Sequence, residues 1–252
     1  MHLLRRMHGR AAARTLPKLR RRTGSPTGAG STSGPRFVKR AAFERFAGFY
    51  DRAVGGLAPW RDHCRTLAEH LPAETRRVLD IGTGPGVSAF ALAGALPRAH
   101  VIGMDFASRM IRRAARHRER LGARNVSLVQ ADALCLPLRD ASLDAVTAHS
   151  FLYLVPRKEA VLGEVARVLR PGGRAVLLEP RAEAPATPSL RAWLRSPHYS
   201  WIMTQWHCIG RWEGRFTESG LRATLESAGL RVLHCEARLG GFGWLAVAER
   251  PA

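Results

Sequence analysis

Three carboxylates and a run of glycines are the groups best suited to hold a ligand. Val78-Leu79-Asp80-Ile81 is an apolar run interrupted by one acid, and Gly82-Thr83-Gly84-Pro85-Gly86 follows directly. Glycines there let the backbone turn sharply and approach a ligand closely. A plain tight turn accounts for one of them but hardly for three. Asp105, followed by Phe106, closes a second apolar run, His100-Val101-Ile102-Gly103-Met104. A carboxylate in that place can accept hydrogen bonds from both hydroxyls of a ribose. An acid after a strand is also a common helix cap, a task that Ser108 can take over so that Asp105 is released. Asp132, between Ala131 and Ala133, follows a third run and can accept from an adenine amino group; the competing reading is a turn-forming aspartate. His149 follows a fourth run. Imidazole titrates near neutrality, so His149 is the leading candidate for a general base, with a histidine that only hydrogen-bonds its own loop as the alternative. Tyr153, Tyr50 and His207 are weaker candidates.

Two ligand classes compete for such a loop. A dinucleotide site uses GxGxxG, with a pyrophosphate at the helix N-terminus. Here the third position of that pattern is Val87, and Asp80 precedes the loop. Beside a pyrophosphate that carboxylate is repulsive; beside the ammonium of a methionine moiety it is attractive, directly or through water. The acid therefore favours S-adenosylmethionine over a nicotinamide dinucleotide.

The elements that must position these groups alternate between strand and helix. Strands are expected at 78–81, 100–104, 126–129, 143–148 and 174–179, with helices at 87–96, 108–121 and 158–169 between them. Gly122 and Pro171-Gly172-Gly173 mark helix ends. Strands joined by helical crossovers make a parallel sheet covered on both faces. After a helix at 217–228, two strands at 230–237 and 242–249 are joined so closely, through Gly240-Gly241, that they must run antiparallel.

VLDIGTGPG, GMDFASRMI, QADALCLPL, LDAVTAHSFLYLV and LRPGGRAVLLEP, in this order, resemble class I methyltransferases of the ubiquinone/menaquinone-biosynthesis type. The resemblance begins near Phe43 and is clearest from Val78 to Pro180. It implies an α/β, Rossmann-like, doubly wound sheet of seven strands, mostly parallel with an antiparallel final strand. It implies S-adenosylmethionine as cofactor, with Asp80 and Gly82 at the methionine end and Thr83, Gly84, Gly86 and Phe106 among the other residues that bind it. Asp105 would meet the ribose, Asp132 and Ala133 the adenine. Tyr50, within Phe49-Tyr50-Asp51, would lie over the cofactor, and His149 would face the methyl group. The implied reaction is in-line methyl transfer, in which alignment of the nucleophile supplies much of the acceleration.

Composition places bounds on partners. The chain has 252 residues and a formal charge of +20, but residues 1–40 hold eleven Lys or Arg and no acid. That stretch, Arg-rich and then Gly/Ser/Pro-rich, has the composition of a disordered tail, of an organellar transit peptide or of a misassigned start. Its charge suits a weak contact with nucleic acid or an anionic membrane, so an RNA-directed enzyme or RNA-binding protein is the alternative function. A cytoplasmic location is expected, or an organellar one if the tail is a leader. Cys64, Cys135, Cys208 and Cys235 lie too far apart for a zinc site, and are expected to be buried filler. No metal ligand set is visible, and nothing signals an oligomeric state. Residues 41–252 then form the enzyme domain, with an insertion at about 181–215 that caps the substrate. Trp193, Trp201, Trp206 and Trp212 fall there with Tyr199 and Met203. They are expected either to pack the cap or to line an apolar pocket for a planar small-molecule acceptor.

Overall fold

The computed structural model describes residues 58–252. The basic segment 1–40 and Tyr50 lie outside them. The first described helix, α1 (Ala58–Glu69), leads into β1 (Arg77–Ile81), α2 (Val87–Ala95), β2 (His100–Asp105), α3 (Ser108–Leu121), β3 (Val126–Gln130) and β4 (Leu143–His149). A 3₁₀ turn (Leu152–Leu154) and α4 (Lys158–Val168) connect β4 to β5 (Leu169–Pro180). Two helices, α5 (Leu190–Arg195) and α6 (Pro197–Glu213), precede α7 (Glu218–Ser227), β6 (Arg231–Arg238) and β7 (Gly243–Glu249).

The seven strands form one sheet in the order β3-β2-β1-β4-β5-β7-β6. Strands β1 to β5 pair in parallel, and β7 runs antiparallel to both β5 and β6. The close connection through Gly240-Gly241 forces that reversal, as its shortness requires. Alternation along each strand feeds two cores. On one face Val78, Val101, Ala145, Val176, Leu178, Leu245 and Val247 pack against Leu67 of α1 and Ala89 and Leu92 of α2. On the other, Leu79, Ile81, Val146, Ala148 and Leu177 meet Val161, Leu162 and Val165 of α4 and Leu221 and Leu225 of α7. Ile202, Met203 and Trp206 of α6 belong to this second core. The sheet's first-crossing point lies between β1 and β4, where chain order reverses. Open α/β sheets bind ligands at the carboxyl ends of strands at such a point.

One boundary differs from expectation. The spacing carries α4 to Leu169 and starts the next strand at Arg174, whereas β5 already begins at Leu169. Leu143 faces Leu169 and Ala145 faces Arg174, so β5 carries extra residues between those pairs. The excess, including Pro171-Gly172-Gly173, bulges from the ladder instead of ending it. Gly172 N–H donates to the Arg250 carbonyl at 2.8 Å, and Arg250 N–H returns a bond to the Gly173 carbonyl at 2.9 Å.

Close approach makes glycine necessary at 173. A Cβ there would sit 2.8 Å from the Arg170 carbonyl oxygen and 3.1 Å from that of Asp144, and neither is a movable side-chain end. At Gly163, inside α4, a Cβ would meet nothing within 4 Å. Gly173→Ala should therefore destabilise the fold by about 1–3 kcal/mol. Gly163→Ala should stabilise it by about 0.5–1 kcal/mol through helix propensity. Denaturant melts of the two variants check this, and the account requires shifts of opposite sign.

Candidate active site

The glycine loop leaves β1 with a left-handed residue at every second position: Gly82 at φ 71°, Gly84 at 55° and Gly86 at 96°. Gly82 is constrained twice, because a Cβ would also lie 2.5 Å from the Phe151 ring. Its N–H and that of Thr83 donate to the Met104 carbonyl, at 2.8 and 2.9 Å. Gly84 N–H donates to Asp105 Oδ2 at 3.0 Å. His117 Nδ1 lies 3.1 Å from the Pro85 carbonyl. The loop is thus lashed to the end of β2.

Asp105 Oδ1 accepts from the Ala107 N–H at 2.8 Å. The helix cap at α3 is Ala107, without a side-chain cap bond, and Ser108 is the first helical residue. Ser108 therefore does not take over the capping task, and its Oγ instead accepts from Arg112 at 3.0 Å. A single carboxylate joins the loop after β1 to the turn after β2. Phe106, half-buried beside it, accepts from Gln130 through its carbonyl at 3.2 Å.

Asp80 is fully buried. Its Oδ1 accepts from Thr147 Oγ1 at 2.9 Å, and its Oδ2 accepts from Ser88 Oγ. Thr147 stands opposite Asp80 in the β1–β4 register, and Ser88 lies in the first turn of α2. Burial raises the carboxyl to about 6, against the hydrogen bonds from Ser88 and Thr147 that lower it. Hydroxyls, not a cation, hold this charge within the described chain.

The strand-four end is pinned by a residue that sequence reasoning passed over. Glu179, fully buried near the end of β5, accepts from the Phe151 and Leu152 N–H groups on Oε1, at 3.1 and 2.8 Å. Tyr153 N–H donates to its Oε2 at 3.1 Å. Burial pushes this carboxyl up to about 7. Its signal was an acid that directly follows the apolar run Ala175-Val176-Leu177-Leu178. Glu179 thereby fixes Phe151, which packs over Gly82.

His149 ends β4, buried, with Nδ1 3.1 Å from Ser150 Oγ. Burial, with His63 adding a smaller push, lowers it to about 3. His63 of α1 is itself lowered to about 4 by burial, and the Tyr199 hydroxyl of α6 lies 3.2 Å from its Nδ1. Tyr199 is expected in the cap, either as packing or as pocket lining, whereas nothing in the sequence singles out His63, which only the fold brings near His149. Tyr153 is buried in the second core on the 3₁₀ turn, and His207 is buried on α6 with the Arg215 guanidinium 3.3 Å from its Nε2.

Other expectations are corrected or narrowed. Asp132 is exposed after β3, where its Oδ1 accepts from the Leu134 N–H at 3.0 Å, a turn bond that a ligand contact through the same carboxylate does not exclude; Ala133 beside it is buried. Cys64 is buried as expected, but Cys135 and Cys208 are exposed and Cys235 half-buried, because they sit on turns and outward faces. Trp206 is core, while Trp201 is 41% exposed and belongs to neither core. The buried face of α6 is taken by Ile202, Met203 and Trp206, which leaves Trp201 outside. The Trp212 side chain is outside the described set. Among the described residues no group of His, Cys, Asp and Glu could hold a metal ion.

Comparison with known proteins matches the methyltransferase domain family over residues 73–229. The chain belongs to that family. A demethylmenaquinone methyltransferase of Thermus thermophilus is 42% identical over 127 residues, 50% of this chain and 56% of that one. A malonyl-[acyl-carrier protein] O-methyltransferase of Laribacter hongkongensis is 40% identical over 144 residues, 53% and 47% of the two chains. The chain spans about half the length of the curated relatives it matches. A SAM-dependent methyltransferase structure from Aquifex aeolicus superposes with TM-score 0.60 at 16% identity, covering 84% of this chain and 98% of that one, which shows the shared fold. The methyltransferase family and the Rossmann-like fold drawn from the sequence hold.

The site's chemistry fits that cofactor. Asp80 is a buried carboxylate that an ammonium would satisfy, and Asp105 lies at the carboxyl end of the neighbouring strand, where ribose hydroxyls are bound in such folds. The raised Asp80 value has a stability consequence. A folded-state value of about 6 against ~3.9 unfolded means the folded chain binds more protons in that window, so this group's contribution falls as pH rises through it. Asp80→Asn should therefore melt at or above the parent at neutral pH, by up to about 3 kcal/mol. That advantage should vanish below about pH 4. Its affinity for S-adenosylmethionine should fall on the order of tenfold or more. Calorimetry and thermal melts across pH test both; a variant that unfolds at neutral pH contradicts the assignment.

Proposed function

We propose that this chain transfers the methyl group of S-adenosylmethionine to an apolar or aromatic small-molecule acceptor, such as a quinone precursor. The buried, cation-free Asp80 beneath the glycine loop is the observation that carries the cofactor half of the reading. The acceptor half is supported by the groups near His149: neutral His63, with the Tyr199 hydroxyl 3.2 Å from its Nδ1, and no charged side chain among these three. Relatives named for demethylmenaquinone agree with it, while one named for a malonyl-carrier ester shows how widely acceptors vary within the family.

The cofactor, when bound, supplies a methyl group on a sulfonium whose departure leaves a neutral thioether. What the chain must do is bind, align and exclude water. Asp80 would balance the ammonium, and the backbone of Gly82, Thr83, Gly84 and Gly86 would line the methionine end. Asp105 with Phe106 would meet the ribose, Asp132 with Ala133 the adenine, and Tyr50 the outer side. His149 is neutral at physiological pH. It would accept a hydrogen bond from the nucleophile's hydroxyl and orient it; so weak a base takes the proton only as the methyl bond forms. Tyr153, held by Glu179 through its backbone, would shape the wall beside it.

His149→Ala should lower kcat on a reduced demethylmenaquinone analogue by on the order of a hundredfold, while cofactor affinity stays within about twofold. Mass spectrometry of the purified chain with labelled cofactor, the quinol, a malonyl thioester and RNA reads the acceptor class. Methylation of RNA alone, or unchanged turnover in His149→Ala, would contradict the reading.

A further inference from the structure

Leu190, Leu194 and Trp201 stand 76, 77 and 41% exposed on the two cap helices, and Leu121 and Leu233 are the only other large apolar side chains so exposed among the described residues. Leu190 and Leu194 are one helical turn apart on α5, so they share a face. Arg191 and Arg195 form the next row, also exposed, and exposed His198 stacks on Trp201 with ring centroids 6.4 Å apart. No aspartate or glutamate occurs between Glu183 and Glu213. The helices are held from beneath: Ile202, Met203 and Trp206 seat α6 in the core, and Ser189 caps α5 through the Ala192 N–H.

Two consecutive helices that expose leucines, a tryptophan and arginines have the chemistry of an interfacial surface. Leucine enters the acyl boundary, an indole ring sits at headgroup level, and arginine reaches up to phosphate. We infer that the α5–α6 cap docks on an anionic lipid surface. Self-pairing is the weaker use of this face, since a twofold dimer would bring the Arg191 and Arg195 rows of two copies together. The inference does not depend on the acceptor's identity, although a cap in contact with lipid would receive a lipid-soluble acceptor directly.

The test uses the full chain with phosphatidylcholine vesicles, with and without phosphatidylglycerol. Sedimentation should show binding that needs the anionic lipid, and amide exchange should slow at 190–201. Leu190→Ser with Leu194→Ser should weaken partitioning by on the order of tenfold. Arg191→Glu with Arg195→Glu should weaken it further, since each arginine contributes about fivefold on such a surface. Unchanged cofactor affinity and melting temperature confirm that both variants fold. The inference is overturned if the chain ignores the vesicles, or if both variants bind like the parent because the basic N-terminal segment does the work. It is equally overturned if light scattering shows a dimer that the serine pair dissolves.

Discussion

Taking a carboxylate out of water costs several kcal/mol unless hydrogen bonds or a cation answer it. Asp80 is answered only in part. Thr147 on β4 and Ser88 on α2 each give it one hydroxyl, which holds the strand, the loop and the helix in one arrangement while leaving the carboxyl near 6. A neutral residue in that place would pack more easily. The tension at Asp80 makes sense of the loop above it, where left-handed glycines would bring the backbone within reach of the proposed ligand, whose ammonium would carry the missing positive charge.

Two further carboxylates extend this arrangement across the sheet. Asp105 ties Gly84 to the turn after β2, and Glu179 gathers three N–H groups of the turn after β4. Both use acids as acceptors for backbone donors, so the loops at the carboxyl ends of β1, β2 and β4 are fixed relative to one another before any ligand arrives. Phe151 completes the circuit by packing over Gly82. Such preorganisation is what an in-line displacement needs, since misalignment is its main cost.

Much of this was legible in the chain itself. The alternation of apolar runs and helical spacing located every strand, and the short connection at Gly240-Gly241 required the antiparallel β7. Asp80, Asp105 and the glycines announced themselves by type and position. What stayed hidden depends on contacts between distant segments. The Asp80–Thr147 bond needs the β1–β4 register, and the His63–Tyr199 contact joins residues that 135 intervening positions separate. Glu179 was visible as a charge in an apolar strand, yet its partners lie on a turn that no local pattern links to β5. Tryptophans in the cap showed apolar character but not direction: α6 has one buried face, and Trp206 lies on it while Trp201 does not.

The central claim is that Asp80 awaits a cation, and proton counting tests it most directly. Calorimetric titration of S-adenosylmethionine near pH 6, in buffers of different ionisation enthalpy, measures the protons exchanged on binding. A positive charge beside Asp80 should lower its carboxyl and release a fraction of a proton per ligand. The release should fade at mildly alkaline pH and be lost in Asp80→Asn. Binding without proton release near pH 6, or the same release from the variant, would contradict the account.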